Sequence, residues 1–155
     1  MTNQSFGGPY VQVAAICMTP LLEQHGPLSA LSVIRIQDRI QLAGITDQMQ
    51  PQPLNALWLV VALRAGAMEG KCTLQVIPTS PSGKQLPGLS VPILFEGPER
   101  LAFVATPLGV IATEEGLYWF EITLEGTPVS KVPLRVMYQK LQMIPGMQIP
   151  PQSAD

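Results

Sequence analysis

A chain of 155 residues is one domain's worth of sequence, long enough to bury a core without disulfide or metal staples. Charged residues are only 13% of it and apolar residues 46%, with a net charge of −2, so the expectation is either a docking or oligomer face or an unusually apolar core under a Gln, Ser and Thr surface. Nine Lys and Arg, spread singly against eleven acids, argue against nucleic acid as a partner, and the longest apolar run, Leu57 to Leu63, is too short for a membrane helix.

Helical periodicity is nearly absent, because 16 Pro and 13 Gly interrupt the chain at short intervals. Between the breaks, apolar and polar residues alternate with the period of a strand. In "YVQVAAIC", Val11, Val13, Ala15 and Cys17 share one face, opposite Tyr10, Gln12 and Ala14. "EQHGPL" turns the chain, and "ALSVIRIQDRIQLA" reads as one strand with Ile34, Ile36, Ile40 and Leu42 on its apolar face. A loop, "GITDQMQPQP", leads to "LNALWLVVALR", which is apolar on both sides, as expected of a central strand covered on both. "KCTLQVIP" turns Cys72, Leu74 and Val76 inward, and "TSPSGK" has the composition of a turn. "LSVPILF" contains Pro92, which argues for an edge, and "RLAFVA" follows. A long irregular link then precedes "LYWFEITL". There Tyr118, Phe120, Ile122 and Leu124 share a face. "EGT" forms a hairpin turn in which Gly126 takes positive φ. The last strand carries Val132, Leu134, Val136 and Tyr138 inward, with Pro133 marking an edge or bulge.

This pattern predicts an all-β fold, an antiparallel sandwich of seven to eight strands. The strands occupy residues 1–138, and residues 139–155 form a Pro- and Met-rich tail. Because the tail carries little charge, the expectation is that Met143, Ile144, Met147 and Ile149 dock on this domain or on a neighbour.

"EEGLYWF" resembles the tyrosine corner of immunoglobulin-like sandwiches, with Glu114, Gly116, Tyr118 and Phe120 at alternate positions. The resemblance implies that Tyr118 packs its ring in the core and returns its hydroxyl to the backbone of the corner. Phe120 stands where antibody domains carry a cysteine. Trp58 either matches the core tryptophan of those domains or faces outward while Leu57, Leu59, Val61 and Leu63 face in. Residues 11–138 are also similar to a family of uncharacterised bacterial proteins, a domain of unknown function. That resemblance rests on "LSVIRIQDRI", "LWLVVALR", "KCTLQVIPTSPSGK" and the closing Gly116 to Gly126 and Pro133 to Val136 segments. It implies an immunoglobulin-like fold and no activity.

The chemistry-bearing residues are sparse. One histidine, His25, and two distant cysteines, Cys17 and Cys72, do not make a zinc set, so no metal and no cofactor is expected. A His25 triad would need Cys17, whose apolar surroundings make it inert. Glu114 and Glu115 are adjacent and point opposite ways, and "PSGK" lacks the glycine and helix of a phosphate loop. Asp38 falls on the apolar face of its run. It is either a polar anchor at a ligand site or the mark of a strand end, where Arg35, Arg39 or Arg64 could meet it.

The expectation is therefore a non-catalytic protein-interaction or structural module, self-associating or bound to another protein. No signal-peptide pattern opens the chain, and both cysteines read as buried thiols, so residence in the cytoplasm is expected. The alternatives are a small-ligand binder and a building block of a phage-like or secretion particle.

Overall fold

A computed structural model of the chain describes residues 7–25, 28–142 and 146, with backbone alone at residues 24, 25, 28 and 29. Its elements are β1 (Tyr10–His25), β2 (Leu28–Ile36), β3 (Arg39–Gly44), β4 (Gln52–Pro53), β5 (Trp58–Arg64), β6 (Gly70–Thr79), β7 (Leu89–Phe95), β8 (Leu101–Pro107), β9 (Ile111–Ala112), β10 (Gly116–Leu124) and β11 (Thr127–Lys140). The fold is all-β. The expected seven to eight strands become eleven among the described residues, because the second run splits into β2 and β3, β11 and β10 stay whole, and the two-residue strands β4 and β9 pair where loops were expected.

Two sheets carry the fold, β2-β1-β5-β8 and β3-β11-β10-β6-β7. The strictly antiparallel expectation is corrected at one place: β3 runs parallel to β11, with Arg39 opposite Arg135 and Gly44 opposite Lys140. The cause is the break at Gln37 and Asp38. The Gln37 N–H donates to the Ile16 carbonyl at 2.8 Å in the first sheet, and the Asp38 carbonyl accepts the Arg135 N–H at 2.9 Å in the second. Two residues thus carry the chain from one sheet to the other. Before the break, Ile34 and Ile36 are exposed; after it, Ile40 and Leu42 pack against the core, so the four do not share one apolar face.

The first strand also departs from simple alternation. A register shift between Val11 and Val13 inserts one residue into β1, so Val11 packs toward the core while Val13 points outward at 41% exposure. Pro92 lies on β7, an edge of its sheet. β11 is not an edge strand as a whole, but β3 pairs only with residues from Arg135 onward, so Pro133 lies where that side of β11 is open. β11 also extends through Lys140, two residues beyond the expected boundary at 138.

Between the sheets, Ile16, Leu59, Val61 and Leu63 meet Leu74, Val76, Tyr118, Phe120, Ile122 and Leu134 in one core. Each such side chain contributes about 1.5–3 kcal/mol when fully buried. Leu54, Leu108 and Val110 close one end of it, held by the Leu54 N–H to Val110 carbonyl bond of 2.9 Å and the Leu108 N–H to Leu57 carbonyl bond of 3.0 Å. The β10–β11 turn has positive φ at both Glu125 (48°) and Gly126 (80°), the conformation whose twist matches a two-residue hairpin.

Candidate interaction surface

Side chains of directly opposed residues share a face, so the pairing registers define the outer side of the four-stranded sheet row by row. One row is Ile36, Cys17, Trp58 and Pro107. The next is Ala15, Val60 and Ala105, and the next Val13, Ala62 and Phe103. Beyond Cys17 the same face continues as Thr19 with Ile34 and Leu21 with Ser32. None of these side chains is charged, and only Thr19 and Ser32 carry a hydroxyl. The face is bounded at one end by Arg64, whose guanidinium donates to the Gln12 side chain at 3.1 Å and the Glu99 carbonyl at 2.6 Å. Its middle is shielded, with Val60 and Cys17 at 0% exposure, while its rim is open, with Ile36 at 66%.

This face runs out onto an arm. β5 pairs with β1 only as far as Cys17, so from Met18 onward β2 is the one strand beside β1 among the described residues. On the arm's other side, Pro20 opposes Val33 and Leu22 opposes Leu31. Met18 and Leu22 are exposed there, so both sides of this two-stranded ribbon present apolar groups to solvent.

The tyrosine corner lies at the start of β10. The Tyr118 hydroxyl donates to the Glu114 carbonyl at 2.9 Å and accepts the N–H groups of Thr113 at 3.2 Å and Glu114 at 3.3 Å. Its ring and that of Phe120 are fully buried. Gly116 has φ +132°, and a Cβ there would come within 2.7 Å of the Pro81 ring. The Glu114 carboxylate accepts the Ser82 hydroxyl at 2.7 Å and the Ser82 N–H at 3.2 Å. The Ser82 hydroxyl and N–H, with Ser80 adding to them against desolvation, hold Glu114 below the usual glutamate range. The "TSPSGK" turn is thereby tied to the corner, a link that no spacing in the sequence announces. Glu115 turns to the Tyr138 N–H at 2.7 Å, so the adjacent carboxylates serve different backbone groups.

Asp38 is not on a buried face. It sits in the two-residue crossing, its side chain 78% exposed, paired with Arg39 at 3.0 Å. The Arg39 hydrogen bond lowers its pKa. The strand ends there, the second of the two readings its sequence allowed. Cys17 and Cys72 are both free and buried, and burial raises both thiols, so neither is poised as a thiolate nucleophile. Trp58 is half-buried on the outer face, while Leu57, Leu59, Val61 and Leu63 are buried on the inner side. The His25 side chain and the tail residues Met143, Ile144, Met147 and Ile149 lie outside the described residues.

Among the described residues no three His, Cys, Asp or Glu gather as metal ligands, and no helix is long and apolar enough to cross a membrane. A groove of about 580 Å³ lies where Gly7–Val11 pass Leu124–Val129. Its Glu125 carboxylate already accepts the Thr73 N–H. A second hollow of about 300 Å³, beside Leu86 and Val110, is mostly apolar.

No protein-family model and no curated protein matches the chain. Among solved structures it is similar to an immunoglobulin-like protein from Pseudomonas aeruginosa, at 9% identity and TM-score 0.39, covering 83% of this chain and 96% of that one. It is also similar to part of the Pseudomonas fluorescens alkylpurine DNA glycosylase AlkC bound to DNA with an abasic-site analogue, at 7% identity and TM-score 0.40. That match covers 80% of this chain, which spans 30% of the glycosylase. At such scores neither likeness bears on what this chain does.

Proposed function

We propose that this chain is a non-catalytic protein-interaction module built on an immunoglobulin-like sandwich, and that its contact surface is the outer face of the four-stranded sheet. The observation that carries this reading is that the rows from Val13 to Leu21, with their partners on β2, β5 and β8, hold no charged side chain. An uncharged apolar sheet face matches the core of a protein interface, where charged residues are depleted. The open part of this face is its rim, where Val13, Leu21, Ile34 and Ile36 are exposed, while Ala15, Cys17, Val60 and Ala62 at its middle are buried within the chain. The tyrosine corner supports the immunoglobulin-like class and, with it, the resemblance to uncharacterised bacterial proteins. The two free thiols support residence in a reducing compartment such as the cytoplasm.

The test is purification from the native host, with mass spectrometry of whatever co-elutes. A stoichiometric protein partner is expected with the unmodified chain and with Gln75→Arg, on the opposite sheet, and is expected to be lost with Ala105→Arg, on the exposed rim of the face. Equal behaviour of the two variants overturns the assignment of the surface.

A further inference from the structure

Among the described residues the two sheets end in four edge strands: β2, β8, β3 and β7. An open edge is a row of unpaired N–H and C=O groups, which proteins blunt with proline, charge or brevity. β7 carries Pro92 in its middle, β8 ends at Pro107, and β3 has six residues and opens on Arg39. β2 has nine residues, "LSALSVIRI", with no proline and a single charge, Arg35, near its end. It is also half of the two-stranded arm, and such a ribbon is only marginally stable without a third strand.

We propose that β2 pairs antiparallel, edge to edge, with the β2 of a second copy of this chain. This deepens the interaction reading above, and rests on it only in treating the chain as one that associates. The register centred on the strand puts Ser32 on the twofold axis, opposite itself. Leu31 then faces Val33 of the partner copy, and Ile34 faces Ala30, so apolar side chains meet apolar ones on both sides of the joined sheet. Arg35 faces Ser29 and stands roughly 20 Å from its own copy at about 3.3 Å per residue, so no like charges oppose. The strand is thus complementary to itself from Ala30 to Ile34; Arg35, with φ 57°, interrupts the extended backbone beyond that, as it does against β1, where no pair stands between Thr19–Ile34 and Cys17–Ile36. A strand about 30 Å long and a sheet about 10 Å thick bury roughly 600 Å² in total, the size of a weak, reversible contact held by backbone hydrogen bonds. Joining the two sheets makes one of eight strands and sets the two apolar faces side by side as a bivalent platform.

Two measurements test this. Sedimentation equilibrium of the full unmodified chain is expected to show a reversible dimer with a dissociation constant on the order of micromolar. Opposed antiparallel residues have Cα atoms about 4.5–5.5 Å apart, within disulfide range, so Ser32→Cys is expected to cross-link to its own copy under mild oxidation. Arg35→Cys is expected to do so at least tenfold more slowly. A monomer at all concentrations overturns the proposal. A monomer with fast β2 amides that still co-purifies with a partner lost in Ala105→Arg overturns the pairing and leaves the interaction surface standing. A dimer in which Ser32→Cys and Arg35→Cys cross-link equally overturns the register and the edge.

Discussion

Along β10, β11 and β3 the outward positions include Glu121, Lys131, Arg135 and Arg39 among apolar ones such as Leu117, Pro133 and Met137, with Lys71 on β6. Lys131 lies over the Trp119 ring, 4.5 Å from its centre, so even the large aromatic on that side is covered by a charged chain. Along β1, β5 and β8 the corresponding positions are Val13, Ala15, Trp58, Val60, Phe103 and Ala105. Both faces lie opposite the same core and are built by the same alternation. The difference shows that alternation identifies the inner side of a strand, and that the chemistry of the remaining positions identifies which outer side is meant for water.

The largest expected effect tests the core that both faces share. Tyr118→Ala should cost about 3–5 kcal/mol in denaturant unfolding, as large aromatic truncations do. Tyr118→Phe should keep the ring and still lose about 1–3 kcal/mol, because the hydrogen bonds to Thr113 and Glu114 go unmade. Next, Val60→Ala should cost about 2 kcal/mol, since Val60 is fully shielded on its outer face, whereas Gln75→Ala should stay within about 0.5 kcal/mol. Equal costs measured by urea titration would erase the contrast between the faces. Lys131→Ala should lose about 0.5–1 kcal/mol through the Trp119 contact, and tryptophan fluorescence should report the uncovered ring.

The smallest effect is a pH dependence. Glu114 holds its proton less readily folded than unfolded, because Ser82 stabilises the carboxylate. Its contribution is therefore complete above the ordinary glutamate range and is lost as pH falls through the lowered folded value. Glu114→Gln should flatten the loss of stability on acidification, checked by comparing urea midpoints at about pH 6 and about pH 3.

Most strands were legible because turn residues punctuate them and the period is two. The corner was legible because glycine, tyrosine and phenylalanine fall at alternate positions, and each has a steric or hydrogen-bonding reason to be there. What the pattern missed is non-local. The break at Gln37 and Asp38 joins bonds from Ile16 and Arg135, residues on different sheets, and no window of sequence contains both. The extra residue in β1 is defined only against β5. The double-sided apolar run of β5 was read as a strand covered on both sides, and Leu59 to Leu63 are buried on both; only the rim around the outer side is the proposed surface. Asp38 was read as either a ligand anchor or the mark of a strand end beside an arginine, and the chain breaks there with Asp38 paired to Arg39.

The parallel pairing of β3 with β11 also has a consequence in time. Residues 39–44 emerge early from the ribosome, yet their partner is the last of the described strands, residues 135–140. The four-stranded sheet can assemble once β8 ends at Pro107, and at about 5–20 residues per second the stretch up to Lys140 takes roughly 2–7 s more. For that interval the nascent sheet has apolar groups on both of its sides. Synthesis thus imposes a brief period in which this chain's hold on its neighbours is decided before its own seam is closed.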